Sequence, residues 1–454
     1  MLSMLRRLWS LFRCDESGVS VIVFALTLPV MLAASGVAVD LAQAYNVKVR
    51  LGNALDKAAL AAGTVSGSNE EVEARILEFV RANYPEESLG EAVNIIASVN
   101  EMSISVTAEA RVDTIFMRIF GYDQITVSEE SEVIRELSGV EVVLVLDVTG
   151  SMYGNNILAL QTASRDFLDI MFSRISDEEY IRVGIVPFSN SVNVGAFGLA
   201  DGFVQRPATD SYISPASNIQ YSSTNGSTTN WKGCIVEDPF DGTDVTDTSK
   251  TWDMYRWPRT CTKYDKKGNC TSWSGNANNL CTNLRIQPLT NSEATLEALV
   301  DKLDGDDGKG SNIAVGNTYG NIGMVWGWRV ISPDPPFSEG SEYGDPDWSK
   351  AVIMMTDGDN TMDGTYSAYG RTSSHGMRAS DLNDRFAETC ENMKQEGITV
   401  YTITFQSGIS NSTRQIFRTC ATSPDHYFNA PSNDDLRTAF RRIANQLSAL
   451  HLSK

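Results

Sequence analysis

Three kinds of hydrophobic patterning follow one another along the chain. From Gly18 to Val39 the sequence GVSVIVFALTLPVMLAASGVAV contains no charged residue, a run long enough to cross a bilayer as a helix. From Leu41 to Val65 the pattern turns amphipathic, with Leu51, Leu55, Ala58, Ala59 and Ala62 at helical spacing. Gly67-Ser68-Asn69 ends that helix, and a second is expected from about Glu70 to Asn83, closed by Pro85. Between Val93 and Glu136 the period falls to two: Ser103-Ile104-Ser105-Val106-Thr107-Ala108 and Ile125-Thr126-Val127-Ser128 alternate as strands do. Beyond Ser138, short apolar runs alternate with helical periods. Strands are expected at Glu141–Leu146, Ile181–Phe188, Lys350–Met355, Ile398–Phe405 and Tyr427–Asn429. Helices are expected near Asn155–Arg174, Asn321–Val330, Ser380–Gln395 and Asn433–Leu450, the first with Ile157, Leu160, Phe167, Leu168 and Met171 on one face. Strands alternating with helices imply an α/β fold with a parallel, doubly wound (Rossmann-like) sheet.

The alternation stops between Asn190 and about Arg285, a stretch rich in Ser, Thr, Asn, Gly, Asp and Trp. A structureless loop of that length does not suit a compact domain, so we read residues 190–285 as an insertion stapled by disulfides. Its tryptophans, Trp231, Trp252, Trp257 and Trp273, are expected to build a small local core rather than a binding surface. The 454 residues therefore divide into a tail (1–17), a transmembrane helix (18–40), a small α+β module (41–137) and a large doubly wound domain (138–450).

Charge and cysteine usage add a direction to this layout. Arg6, Arg7 and Arg13 precede the apolar run and Asp40 closes it, which by the positive-inside rule puts the N-terminus in the cytoplasm and the bulk outside. Ala42-Gln43-Ala44 offers a small-x-small cleavage site, but the apolar run exceeds a signal-peptide core, which favours an uncleaved anchor. Cys14 lies before the span; Cys234, Cys261, Cys270, Cys281, Cys390 and Cys420 lie after it, an even number suited to disulfides. Cys261 and Cys270 flank a Lys-Lys-Gly-Asn turn, so a disulfide closing a hairpin is expected there, and the absence of Cys-x-x-Cys argues against a zinc ribbon. With 57 Asp+Glu against 37 Lys+Arg the net charge is −20, which disfavours nucleic acid and anionic lipid as partners. Asn225, Asn269 and Asn411 begin Asn-x-Ser/Thr triplets, which we take as chance occurrences.

The chemistry gathers at strand ends. Val142–Leu146 runs into Asp147-Val148-Thr149-Gly150-Ser151, an Asp-x-Thr-x-Ser loop whose three oxygen ligands suit a hard divalent cation. Val352-Ile353-Met354-Met355-Thr356-Asp357-Gly358 is a second apolar strand ending in Asp, and Gly316-Asn317-Thr318-Tyr319-Gly320 precedes a helix. Loops after adjacent strands of a doubly wound sheet converge on one edge, which would bring Asp147, Thr149, Ser151, Thr318 and Asp357 together. The plainer reading is that Asp147 and Thr149 cap a helix starting near Tyr153.

These motifs resemble the metal-ion-dependent adhesion site of von Willebrand factor A domains, with Thr149 where the family usually has Ser. The resemblance implies an A-like fold for residues 138–450 and a divalent metal at those five residues, magnesium first, with manganese or calcium as alternatives. It also implies a protein partner that completes the metal's coordination with an Asp or Glu carboxylate. Gly18–Leu26, Gly36-Val37-Ala38-Val39-Asp40, Leu55–Ala62 and Gly320–Arg329 resemble TadG-like proteins of bacterial Tad (Flp) pilus-assembly systems. Val23 stands where the small pseudopilins of those systems carry Glu, which argues against prepilin-type cleavage.

The resemblance implies an inner-membrane, single-pass component of pilus assembly, N-terminus cytoplasmic and bulk periplasmic, binding a pilus or envelope protein. The alternative is a surface-exposed adhesin or matrix-binding protein. An enzyme is not expected: there is no Gly-x-Ser-x-Gly elbow, and Gly308-Lys309-Gly310-Ser311 lacks P-loop spacing and reads as a turn. Asp147 and Asp357 as paired acid and base leave the neighbouring hydroxyls unexplained. Asp304, Asp306 and Asp307 lack the EF-hand glycine and distal Glu and read as a solvated loop. Oligomeric state is open.

Overall fold

The computed structural model describes residues 17–63, 69–84, 90–99, 103–134, 138–175, 178–223, 230–305, 308–310 and 313–450. Arg6, Arg7, Arg13 and Cys14 of the tail, the helix-ending Gly67, Ser68 and Pro85, the triplet at Asn225, Asp306, Asp307 and Ser311 lie outside the described residues. The chain divides into two compact units, meeting in sequence at Glu136 and Leu137.

The first unit is organised by one long helix, α1 (Ser17–Gly63), which continues unbroken through Pro29. Its two patterns differ in burial rather than in backbone. Val21, Phe24, Leu26, Met31 and Leu32 are exposed, whereas Val47, Leu51, Leu55, Ala58 and Ala62 are buried. That buried face meets helix α2 (Asn69–Asn83) and an antiparallel sheet of β1 (Glu91–Val99), β2 (Ser103–Asp113) and β3 (Gln124–Ile134). In β2, Ile104, Val106, Ala108, Ala110 and Val112 point into this core, as a sheet covered on one face requires.

The second unit is built on a six-stranded sheet. Its strands are β4 (Gly139–Asp147), β5 (Ile181–Phe188), β6 (Gln287–Thr290), β7 (Trp348–Thr356), β8 (Thr399–Phe405) and β9 (Tyr427–Ala430), in the order β6-β5-β4-β7-β8-β9. All neighbours are parallel except β6, which runs antiparallel to β5. The expected parallel, doubly wound sheet carries one antiparallel strand, at this edge. β6 is four residues long and carries Pro288, a pattern too short and too polar to read as a strand and acceptable only at a sheet edge.

Successive β4 residues face opposite layers. Val142, Leu144 and Leu146 pack with helices α3 (Asn155–Arg174) and α4 (Glu293–Val300) and with the closing helix Asn433–Leu450. Val143 and Val145 pack with helix α5 (Gly320–Ile331) and helix α6 (Ala379–Gln395). Helix α7 (Asn411–Cys420) joins this second layer; neither it nor α4 was evident from hydrophobic period alone. Asn411, which begins one of the triplets, is its first residue, behind the capping Ser410. Two glycines let α5 lie against the sheet: a Cβ on Gly323 would come within 2.6 Å of Phe188, and one on Gly327 within 2.5 Å of Val145.

The insertion is stapled by Cys234–Cys281 and, in the exposed hairpin of Thr260–Tyr264 and Cys270–Ser274, by Cys261–Cys270. The third disulfide, Cys390–Cys420, ties α6 to α7. The four tryptophans do not share one core: only Trp257 packs against a small separate cluster, of Cys234, Tyr255, Cys281 and Tyr366. Trp231 and Trp252 are fully buried in the layer that contains Trp326 of α5, while Trp273 is half exposed. Glu237, also fully buried, fastens the insertion there: it accepts from Trp252 Nε1 and Trp326 Nε1, both at 2.9 Å, and pairs with Arg329. The Arg329 guanidinium lies 4.7 Å from the Trp252 ring centre and 4.9 Å from that of Trp326. Burial pushes the Glu237 carboxyl up, but the charges of Arg329 and of Lys250, 3.3 Å away, with the hydrogen bonds from Arg329 and Trp252, hold it below its usual range.

Removing the carboxylate strands a buried guanidinium and two indole N–H groups. Glu237→Ala is therefore expected to lower the unfolding free energy by about 3–5 kcal/mol in urea denaturation. A loss below about 1 kcal/mol, the value of an exposed pair, would show that this clamp does not hold the insertion.

Candidate metal centre

The order of the sheet reverses between β4 and β7, the place where open α/β sheets bind ligands beyond the carboxyl ends of their strands. β4 ends at Asp147, and β7 ends at Thr356, just before Asp357. The two carboxylates stand at the mouths of adjacent strands, and the loop after β4 carries Thr149 and Ser151 above them. Asp147, Thr149, Thr318 and Asp357 are buried, and Ser151 is exposed at the rim.

Hydroxyl groups connect the carboxylates. Thr149 donates to Asp147 Oδ1 from its amide at 2.8 Å and from Oγ1 at 2.6 Å, and Thr356 Oγ1 donates to Asp147 Oδ2 at 2.6 Å. Ser151 Oγ donates to Asp357 Oδ1 at 2.5 Å and lies 3.0 Å from Thr149 Oγ1. Asn156 Nδ2 reaches Asp357 Oδ2 at 3.5 Å. Thr318 arrives on a separate loop. A Cβ built on Gly358 would stand 3.4 Å from Thr318 Oγ1 and 3.9 Å from Ser151 Oγ, so both hydroxyls flank the space over that glycine. All five residues singled out in the sequence are thus brought to one strand edge.

Backbone bonds fix the Thr318 loop. Gly150 N donates to Gly316 O at 3.1 Å and Val315 N to Val148 O at 3.0 Å, which ties it to the β4 loop. Thr318 N donates to Thr361 Oγ1 at 3.2 Å and Gly320 N to Asn360 Oδ1 at 2.8 Å, which ties it to the segment after β7. Asn190 accepts from Asn317 N, and Gly316, at φ +78°, leaves room for that side chain where a Cβ would clash at 2.3 Å. Asn190, Asn360 and Thr361 escaped the sequence reading, whereas Thr356 stood in the quoted strand-end motif, just before Asp357, with no role assigned to it.

The capping alternative does not hold. Thr149 stands before a 3-10 turn, Gly150–Met152, without a side-chain cap, and α3 begins at Asn155 behind Gly154. The site's electrostatics favour a cation instead. Burial raises the Asp147 carboxyl despite the hydrogen bonds it accepts, and burial followed by the neighbouring Asp147 pushes Asp357 up to about 7. Two buried carboxylates with hydroxyl and amide partners are costly to ionise together. A dication would relieve that cost, and a donor set made only of carboxylate and hydroxyl oxygens fits magnesium, manganese or calcium. The exposed rim at Ser151 leaves one side open to a further oxygen ligand. A second acidic group, Asp169, Glu293 and Glu297, is partly solvent-exposed.

Comparison with protein families bears on the first unit. Residues 18–65 match the model of putative Flp pilus-assembly TadE/G-like proteins. The TadE/G-like match spans the apolar and amphipathic parts of α1. No curated protein matches the chain. Among solved structures, the pilus adhesin SpaC of Lactobacillus rhamnosus GG aligns at 16% identity and TM-score 0.37, over 80% of this chain and 35% of that one. The vWF domain of the type V pili tip protein Mfa5 from Porphyromonas gingivalis aligns at 11% identity and TM-score 0.37, over 70% of this chain and 97% of that one. Proximal thread matrix protein 1 of the mussel byssus, solved with a zinc-occupied MIDAS motif, aligns at 12% identity and TM-score 0.33, over 70% of this chain and 47% of that one. The chain thus spans about a third of the length of SpaC.

The raised carboxyls have a pH signature. A carboxyl that titrates higher folded than unfolded contributes stability below its unfolded value, about 3.9, that is lost as pH climbs toward the folded value. In chelator, the thermal midpoint of wild type is expected to fall relative to Asp357→Asn between about pH 4 and pH 7, and added Mg²⁺ at pH 7 should raise that of wild type alone. Parallel pH profiles for the two proteins would contradict the shared-carboxylate arrangement.

Proposed function

We propose that this chain is an inner-membrane-anchored component of bacterial Tad/Flp pilus assembly. Its large unit binds a pilus or envelope protein through a divalent metal held by Asp147, Thr149, Ser151, Thr318 and Asp357. The observation that carries the metal reading is the hydroxyl-linked pair of buried carboxylates at the β4–β7 strand ends. The TadE/G-like match and the exposed apolar length of α1 support the membrane and pilus part. The N-terminus is cytoplasmic and the second unit periplasmic, as the arginines before the span and the disulfides after it support.

The role of the metal follows from its ligands. Hydroxyls outnumber carboxylates, so a bound Mg²⁺ keeps an unneutralised share of its charge and a position for an outside oxygen. A partner's Asp or Glu approaching past Ser151 would complete the coordination, an adhesive contact that needs no bond to be made or broken. Magnesium is our first choice of ion, with manganese or calcium able to use the same oxygens.

The test is a count of surface pili by electron microscopy in a deletion strain complemented with wild type or with Asp147→Ala. Wild type is expected to restore pili and Asp147→Ala, expressed at equal level, is not. A deletion strain with normal pili would overturn the assembly role and favour a surface-exposed adhesin, which labelling of intact cells would reveal.

A further inference from the structure

The connection between β2 and β3 is unusually apolar for a loop. Thr114–Asp123 reads TIFMRIFGYD. Ile115 is 60% exposed, Ile119 80%, Phe120 57% and Tyr122 61%, with Phe116 at 39%. The loop is nevertheless well built. Met117–Phe120 forms a 3-10 turn closed by Gly121 in the left-handed region, Thr114 N donates to Asp123 O at 3.0 Å, and Tyr122 N to Met117 O at 3.2 Å. Such a cluster of large apolar side chains on a structured turn marks an interaction surface.

Its position within the first unit identifies the surface it meets. Asp40, the first charged residue after the apolar run, is 2% exposed and accepts from the amides of Ile115 at 3.0 Å, Phe116 at 2.8 Å and Met117 at 2.7 Å. Phe116 lies against Gly36, where a Cβ would come within 2.6 Å of its ring. The turn is therefore fastened to α1 at the end of the stretch that runs exposed from Val21. Gly18 to Gly36 makes about 27 Å of helix, close to the ~30 Å of a bilayer's hydrocarbon core. The exposed turn thus continues the apolar surface of the helix at the depth where that core gives way to headgroups.

We propose that this turn is a second membrane contact, resting on the reading of α1 as the anchor. Ile115, Phe116, Ile119 and Phe120 enter the headgroup–acyl boundary of the bilayer that α1 crosses, with Tyr122 at the polar level favoured by interfacial aromatics. Arg118, paired with Asp123 at 3.0 Å, keeps its charge at the aqueous edge. The device sets the depth and tilt of α1, because sinking or tilting the helix would drag the turn too deep or pull it out of lipid.

The test uses the full chain carrying Cys14→Ser, reconstituted in phosphatidylethanolamine–phosphatidylglycerol liposomes. Nitroxide labels are placed singly at Ile119→Cys, Phe120→Cys, Met31→Cys in the span and Asp56→Cys beyond it, and collision with oxygen is compared with collision with a water-soluble nickel reagent. Oxygen should dominate at Met31, Ile119 and Phe120, and nickel at Asp56. Nickel dominance at Ile119 and Phe120 with Met31 in lipid would overturn the proposal and leave the anchor standing. Shielding of the turn positions from both reagents would overturn it in favour of a protein cover. Nickel dominance at Met31 would remove the anchor reading, and this inference with it.

Discussion

Two carboxylates that cannot both ionise comfortably without a counter-charge are the constraint around which the second unit is arranged. Asp147 and Asp357 end adjacent central strands, both buried, and hydroxyls and amides are what they are given as partners. Structure on every side serves to keep them there. The parallel register of β4 and β7 sets their separation, Thr149 and Thr356 each take one oxygen of Asp147, and Ser151 bridges to Asp357. A fold that only needed stability would fill such a place with apolar side chains, so the retained acids are an argument for a cation.

The remainder of the unit holds this edge still. The glycines of α5 allow that helix to settle on β4 and β5, which positions the Thr318 loop at its start. The buried Glu237–Arg329 pair binds the insertion to the same helix, and Asn190, where the insertion begins, supports Asn317 beside Thr318. The insertion is thus part of the support of the site rather than a separate appendage. At the opposite end of the strands, Glu141 pairs with Lys350 at 2.5 Å and Arg182 at 2.8 Å, joining β7, β4 and β5 where no ligand is expected.

Much of this was legible because the signals were local. Apolar β-branched runs such as Val142–Leu146 and the helical period of Asn155–Arg174 specify their elements without tertiary help. The five oxygen-bearing residues singled out fall beside such elements, so the topology of a doubly wound sheet was enough to gather them. What escaped depended on tertiary context. β6 is a strand only because β5 offers it an edge, and α7 is a short polar helix held by Cys420 and Phe417. Trp231 and Trp252 looked like a local cluster because nothing in the sequence ties them to Trp326, far along the chain. Likewise Asn190, Asn360 and Thr361 act by accepting from backbone amides of the Thr318 loop, contacts that leave no motif.

The central claim is that Asp147, Thr149, Ser151, Thr318 and Asp357 hold a divalent cation at the β4–β7 strand ends. The most direct measurement is anomalous diffraction from crystals grown with Mn²⁺, collected at the manganese absorption edge. The account predicts one dominant peak bounded by these five side chains, within about 2.6 Å of the oxygens that bind it directly. The absence of a peak there in crystals holding manganese elsewhere, at Asp169, Glu293 and Glu297 for example, would contradict it.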